Sequence, residues 1–225
     1  MRRLAQAALY LTAGLALAAC HGPAVSRQAP EGTPTPQALF RPEALGLLED
    51  PDRDEWQQPD KVMDELHIAD GSRVADLGAG GGWFTARLAR RVGPNGVVYA
   101  EDVQRQMVEA IELRARQEGL SNVHAILSSS RDPMLPQNLD AVLIVDAYGQ
   151  LAYPIDVLGH IASALTRNGR LGVVDFKADG EGGPGPPAEF RINPDRIVAD
   201  AARAGLTVRS RETGLRYQYL VIFGR

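Results

Sequence analysis

Between residues 74 and 223 the chain alternates short, almost unbroken apolar runs with longer stretches whose apolar positions recur at helical spacing. The apolar runs Val74–Leu77, Val97–Ala100, Val123–Leu127, Ala141–Val145 and Leu171–Phe176 have the length and β-branched content of strands buried on both faces. Between them, helices are predicted over Trp83–Arg91 and over Gln104–Glu118, which Gly119 closes. A third helix carries the apolar face Ile155, Leu158, Ile161, Ala162 and Leu165, after which Asn168-Gly169 turns the chain into the fifth strand. Asn193-Pro194 caps a helix running to Ala204, and Leu206–Arg211 and Gln218–Phe223 read as two further strands joined by a short turn. Upstream, Pro59–Leu66 is helical with Val62, Met63 and Leu66 on one side, and Glu43–Gln58 is an acidic lead-in that carries Trp56. Strand alternating with helix this regularly predicts an α/β fold. It is a doubly wound seven-stranded sheet, mostly parallel, with an antiparallel C-terminal hairpin strand.

The first 36 residues follow a different pattern. Arg2 and Arg3 precede a weakly apolar run from Leu4 to Ala19 whose helix would be about 24 Å long, short for a bilayer core of about 30 Å. This is the layout of a cleaved secretory signal over residues 1–19. Leu17-Ala18-Ala19-Cys20 is similar to the lipobox of bacterial lipoproteins, which implies a lipid anchor at Cys20, the one cysteine of the chain. Residues 20–36 are rich in Pro, Gly, Ser, Thr, Gln and Ala and read as a disordered tether to a domain over 37–225. That domain, roughly 185 residues, is large enough for one substantial core. With a net charge of −4 and no basic run beyond Arg90-Arg91, nucleic acid is excluded as a partner. The histidines at 21, 67, 124 and 160 lack metal-ligand spacing, so no metal is expected.

Candidate chemistry concentrates where the first strand opens into Asp76-Leu77-Gly78-Ala79-Gly80-Gly81-Gly82. A glycine turn between strand and helix brings main-chain amides against a ligand. No Gly-Lys-Ser/Thr ending follows, so the turn is not a phosphate-binding P-loop. A dinucleotide fingerprint would place its third glycine at the position of Trp83, whose bulk spoils the helix-to-strand packing that glycine provides. An acid two residues before alternating glycines is similar to the first motif of class I S-adenosylmethionine-dependent methyltransferases. From about Arg53 to Arg225 the chain resembles that family, closest to bacterial methyltransferases related to the quinone and small-molecule methylases, with a Rossmann-like sheet that ends in a hairpin.

The resemblance implies S-adenosylmethionine as cofactor. Its glycine turn maps onto Asp76, Gly78, Ala79, Gly80 and Gly82, and its ribose-binding acid onto Asp102, at the end of the second strand. Val103 follows that acid, and Met107, where the family keeps a Met near the adenine, is assigned to the core. Ser129, in the polar stretch after the third strand, falls where relatives contact adenine. Beyond the fourth strand Asp146 and Tyr148 are placed to face the sulfonium and the methyl acceptor, Asp146 as ligand and catalytic residue and Tyr148 as catalytic residue, with Asp175 as a further candidate base. The Gly- and Pro-rich stretch 180–187 reads as a cover at the ligand edge or as a simple connection, and the 43–58 lead-in as a cover over the ligand mouth or over the sheet edge. One departure matters: many relatives carry a histidine pair after the Tyr that follows the fourth strand, and Gly149-Gln150 stands there.

Methyl transfer depends on in-line positioning, and a base is needed only where the acceptor loses a proton. The acceptor expected is a small molecule or lipid. Arg2 and Arg3 direct the domain to the periplasmic face of the envelope, whereas S-adenosylmethionine is made inside the cell. A second reading is therefore a non-catalytic envelope lipoprotein that binds an adenosine-type ligand. A third, a dinucleotide-dependent oxidoreductase, requires a sheet without the terminal hairpin. The sequence leaves the oligomeric state open.

Overall fold

The predicted strands and helices form in the order the apolar pattern sets, and the computed structural model describes residues 36–179 and 183–225. After a 3₁₀ turn at Pro42–Leu48 come α1 (Arg53–Gln57), α2 (Pro59–Glu65), β1 (Arg73–Leu77), α3 (Trp83–Val92), β2 (Val97–Asp102), α4 (Arg105–Gln117), β3 (Val123–Leu127) and β4 (Leu139–Val145). They are followed by α5 (Pro154–Ala164), β5 (Leu165–Phe176), α6 (Pro194–Arg203), β6 (Thr207–Glu212) and β7 (Gln218–Gly224). The predicted signal at 1–19, the anchor at Cys20 and the tether up to Thr35 lie outside the described residues. Among the described residues no helix is long and apolar enough to cross a membrane.

The strands form one seven-stranded sheet in the order β3-β2-β1-β4-β5-β7-β6. β1 to β5 are parallel, while β7 runs antiparallel to both β5 and β6. Period-2 alternation explains why the central strands read as continuous apolar runs. Ala75, Val142, Ile144, Val173 and Val221 point to a core closed by α5 and α6 through Leu158, Ile161 and Ile197. Val74, Leu143, Val174, Leu220 and Ile222 point to the other face, under Val62, Met63, Phe84 and Leu88 of α2 and α3. Since β1 is flanked by β2 and β4, with crossovers leaving in opposite directions, a crevice opens at the carboxyl ends of these strands.

The fifth strand departs from the expected Leu171–Phe176. Helix α5 ends at Ala164, and β5 already begins at Leu165, which pairs with Leu139. Leu165 is buried. A leucine at that place is buried whether helix or strand carries it, so spacing did not separate the two. Asn168 and Gly169 are absorbed into a register shift opposite Leu139 and Ala141 instead of forming a turn before the strand.

Candidate functional site

The glycine turn is shaped by acids at the end of β2. The Gly78 amide donates to Glu101 Oε2 at 3.2 Å, the Ala79 amide to the Glu101 carbonyl at 2.9 Å, and the Gly80 amide to Asp102 Oδ2 at 3.1 Å. Gly78 has φ +69°, and a Cβ there would come within 2.7 Å of Ala147 Cβ, so this position admits glycine alone. Asp76 holds none of these amides. Its carboxylate is buried beneath the turn and accepts from the Thr85 hydroxyl at 2.6 Å, tying the end of β1 to the first turn of α3. Burial pushes Asp76 up to about 6, against the Thr85 hydrogen bond, which pulls down.

Glu101 was not singled out from the sequence, yet it spans the turn. One oxygen takes the Gly78 amide and the other the Ser128 hydroxyl, which joins β1, β2 and the loop after β3. It is 3% exposed, and burial raises it to about 7. Its neighbour Asp102 accepts from Gly80 and, through Oδ1, from the Gln104 amide at 2.9 Å. Burial raises Asp102 as well, and its amide hydrogen bonds oppose the shift.

A cavity of about 700 Å³ lies over these strand ends. Asp76, Gly78, Ala79, Gly80, Asp102, Val103, Ser129 and Asp146 all line it. Met107 is buried in the core and also reaches the cavity wall. Gly82, Tyr148 and Asp175 do not line it. Gly82, at the start of α3, turns toward α4, where an added Cβ would touch Ile111 and Arg114; Gly81 takes its place on the wall. Tyr148 is buried beneath α6, its hydroxyl donating to Asp200 Oδ2 at 2.9 Å. Burial and the Asp200 carboxylate raise the phenol far above its ordinary range, so this hydroxyl is a structural donor. The predicted covers do reach the cavity: Arg53 and Trp56 from the lead-in, Pro184 to Pro186 from the loop. Residues 180–182 of that loop lie outside the described residues.

Just beyond β4, Asp146 occupies a positive φ of 54° and is held from two distant segments. Gln218 Nε2 of β7 donates to Oδ1 at 2.7 Å, and Gln57 Nε2 of α1 donates to Oδ2 at 3.4 Å and to Gln218 Oε1 at 3.1 Å. Arg53 Nε donates to Gln57 Oε1 at 2.5 Å, and its guanidinium stacks 4.1 Å from the Trp83 ring centre. Burial raises the Asp146 carboxylate, while the Arg53 charge and the two amides pull it down. Asp175 is buried nearby on β5 and is raised by burial and then by Asp146; it is not among the cavity-lining residues. Spacing gave no signal for Arg53, Gln57 or Gln218, because each reaches the site only through tertiary contact. The cavity lining also includes the apolar side chains of Leu39, Trp56, Phe176, Pro184 and Pro186. Among the described residues no cluster of His, Cys, Asp and Glu is arranged to hold a metal ion.

A glycine turn braced by acids, over the switch point of a sheet that ends in an inserted antiparallel strand, defines a methyltransferase-type α/β domain. A model of the methyltransferase domain family matches residues 68–201, and the chain belongs to that family. It is 29% identical over 143 residues to nocamycin O-methyltransferase of Saccharothrix syringae, across 62% of this chain and 48% of that protein. It is also 29% identical over 115 residues to the ubiquinone/menaquinone biosynthesis C-methyltransferase UbiE of Ectopseudomonas mendocina (strain ymp), across 50% and 45% respectively. The chain thus spans about half the length of these curated relatives. Among solved structures, a SAM dependent methyltransferase from Aquifex aeolicus superposes with a TM-score of 0.77 at 29% identity, covering 82% of this chain and 98% of that one.

Proposed function

We propose that this protein transfers the methyl group of S-adenosylmethionine to a small-molecule or lipid acceptor that enters the cavity beside Asp146. The observation that carries the reading is that Asp102, the glycine turn, Ser129 and Asp146 line one cavity at the carboxyl ends of adjacent strands. These residues fit the cofactor. Gly78 and Gly80 present glycine backbone with positive φ to the cavity, and Asp102 keeps acceptor capacity for ribose hydroxyls beyond the two amides it already holds. Val103, Met107 and Ser129 offer apolar and polar contacts to an adenine.

The cofactor, when bound, supplies an electrophilic methyl group. Asp146 faces the same space, with both oxygens held by amides, and takes the proton from an acceptor that has one to lose. Arg53 lies close enough to influence the Asp146 charge and favours an acceptor anion there. The aromatic and proline wall excludes water and orients the acceptor for in-line approach. We place the protein in the cell envelope, tethered through Cys20 with its domain on the periplasmic side, on the Arg2-Arg3 leader and the Leu17–Cys20 motif alone.

Isothermal titration of the purified chain with S-adenosylmethionine and S-adenosylhomocysteine tests the reading. Binding that is lost in Asp102→Ala is expected, and a folded protein that binds neither ligand would sink it. Transfer of labelled methyl to an envelope lipid extract, reduced in Asp146→Asn, is the expected second result. Binding without any transfer would instead favour the non-catalytic lipoprotein.

A further inference from the structure

The first described residues, Pro36 to Phe40, all line the cavity. They belong to no helix or strand, and Leu39 is 47% exposed, so little burial holds the segment down. What seats it is a set of hydrogen bonds to residues around the cavity. The Gln37 amide donates to the Gly149 carbonyl at 2.9 Å, and the Phe40 amide donates to Gln150 Oε1 at 3.0 Å. Gln104 Nε2 donates to the Phe40 carbonyl at 3.0 Å, and the Gln37 side-chain amide donates to the Phe190 carbonyl.

Gly149 and Gln150, in the turn after β4, both serve the segment. A Cβ on Gly149 would lie 2.5 Å from Gln37 Nε2, so the absence of a side chain is what lets Gln37 cross over. Gln150 takes the Phe40 amide with its oxygen, while its Nε2 donates to the Asp146 carbonyl at 3.4 Å. The segment is thereby linked to the turn that presents Asp146.

We propose that residues 36–40 form a strap that gates the cavity, with Gly149 and Gln150 as its latch. Ligands enter and leave when these few hydrogen bonds part, and Leu39 and Phe40 bound the space left for the acceptor once they re-form. The proposal rests on the cavity's being the cofactor and acceptor site.

The test uses the full chain, with S-adenosylhomocysteine as the probe. Stopped-flow fluorescence of Trp56 and Trp83, both in the cavity wall, reads its dissociation, and hydrogen exchange reads the amides of Gln37 and Phe40. Gly149→Ala displaces only the flexible end of Gln37, and Gln150→Ala removes the acceptor for Phe40. In each variant one or both amides should exchange faster than in the wild type, and the ligand should leave about tenfold faster, with entry quickened too and affinity changed less. Unchanged dissociation in both variants, despite amides freed to exchange, would overturn the gate. Amides 37 and 40 that exchange in the wild type as fast as in the variants would overturn the latch. A wild-type chain that shows strap protection but does not bind the probe would overturn the function proposed above and leave the latch standing.

Discussion

Glu101 and Asp102 are adjacent, but burial gives them different work. Asp102 borders the cavity with acceptor capacity to spare, whereas Glu101 is spent on the Gly78 amide and the Ser128 hydroxyl. Because the native Glu101 is raised from 4.5 to about 7, the folded protein keeps a proton that the unfolded chain has already lost between those values. Stability therefore falls as pH rises through about 4.5 to 7, by about 3 kcal/mol from this group, while buried Asp175, raised to about 8, carries the decline further. Asp76 adds a smaller fall of the same sign, ending near 6. Urea midpoints measured from pH 4.5 to 8 should show a shallower decline in Glu101→Gln than in the wild type; equal slopes would remove Glu101 as the source. Tyr148 carries the opposite lesson about reading a sequence. Its place just after β4 predicted a catalytic hydroxyl, but the positive φ at Asp146 and the 3₁₀ turn Tyr148–Gln150 carry its side chain under α6. A strand end locates a residue near a ligand without deciding where its side chain goes. Tyr148→Phe should cost about 2 kcal/mol in chemical denaturation, the worth of a hydrogen bond to a charged acceptor, with S-adenosylhomocysteine affinity unchanged. A large loss of affinity at intact fold would return the hydroxyl to the site.

At the scale of elements, the unit from β1 to β2 was legible because its signals are local. Apolar runs gave the strands, and alternating glycines gave the turn. Asp102 followed from its place at a strand end. Each depends on residues close in sequence. Gly78→Ala combines an unfavourable left-handed backbone with overlap on Ala147, and should cost about 2 kcal/mol or more. Gly82→Ala has a similar backbone strain, φ +79°, but only ordinary contacts around its new methyl group, so about 1 to 2 kcal/mol is expected. Denaturation of the two variants side by side checks the ranking, and a costlier Gly82 would mean that the α3–α4 packing is tighter than its geometry indicates. The side of the cavity around Asp146 was barely legible by comparison. Arg53 and Gln57 sit on a five-residue helix whose pattern announces nothing, and the two faces of Gly149-Gln150 matter only once Gln37 lies across them.

For the whole molecule, the feature that sets the site is the insertion of β7 between β5 and β6, which brings Gln218 to Asp146 and, across 161 residues of sequence, to Gln57. No periodicity could reveal that meeting, since it follows from strand order. Gln218 is fully buried, and Gln218→Ala leaves both Asp146 and Gln57 short of a partner. A loss of about 2 to 3 kcal/mol is expected by denaturation, and a neutral result would show that water replaces the amide. The same insertion orders events during synthesis. The glycine turn, Asp102 and Ser129 emerge from the ribosome well before Gln218, and at about 5–20 residues per second the interval is on the order of ten seconds. A nascent chain therefore passes through a stage in which the glycine turn and its bracing acids are already out while Asp146 still lacks its partner from the last strand, so one wall of the cavity can take shape before the other is supported.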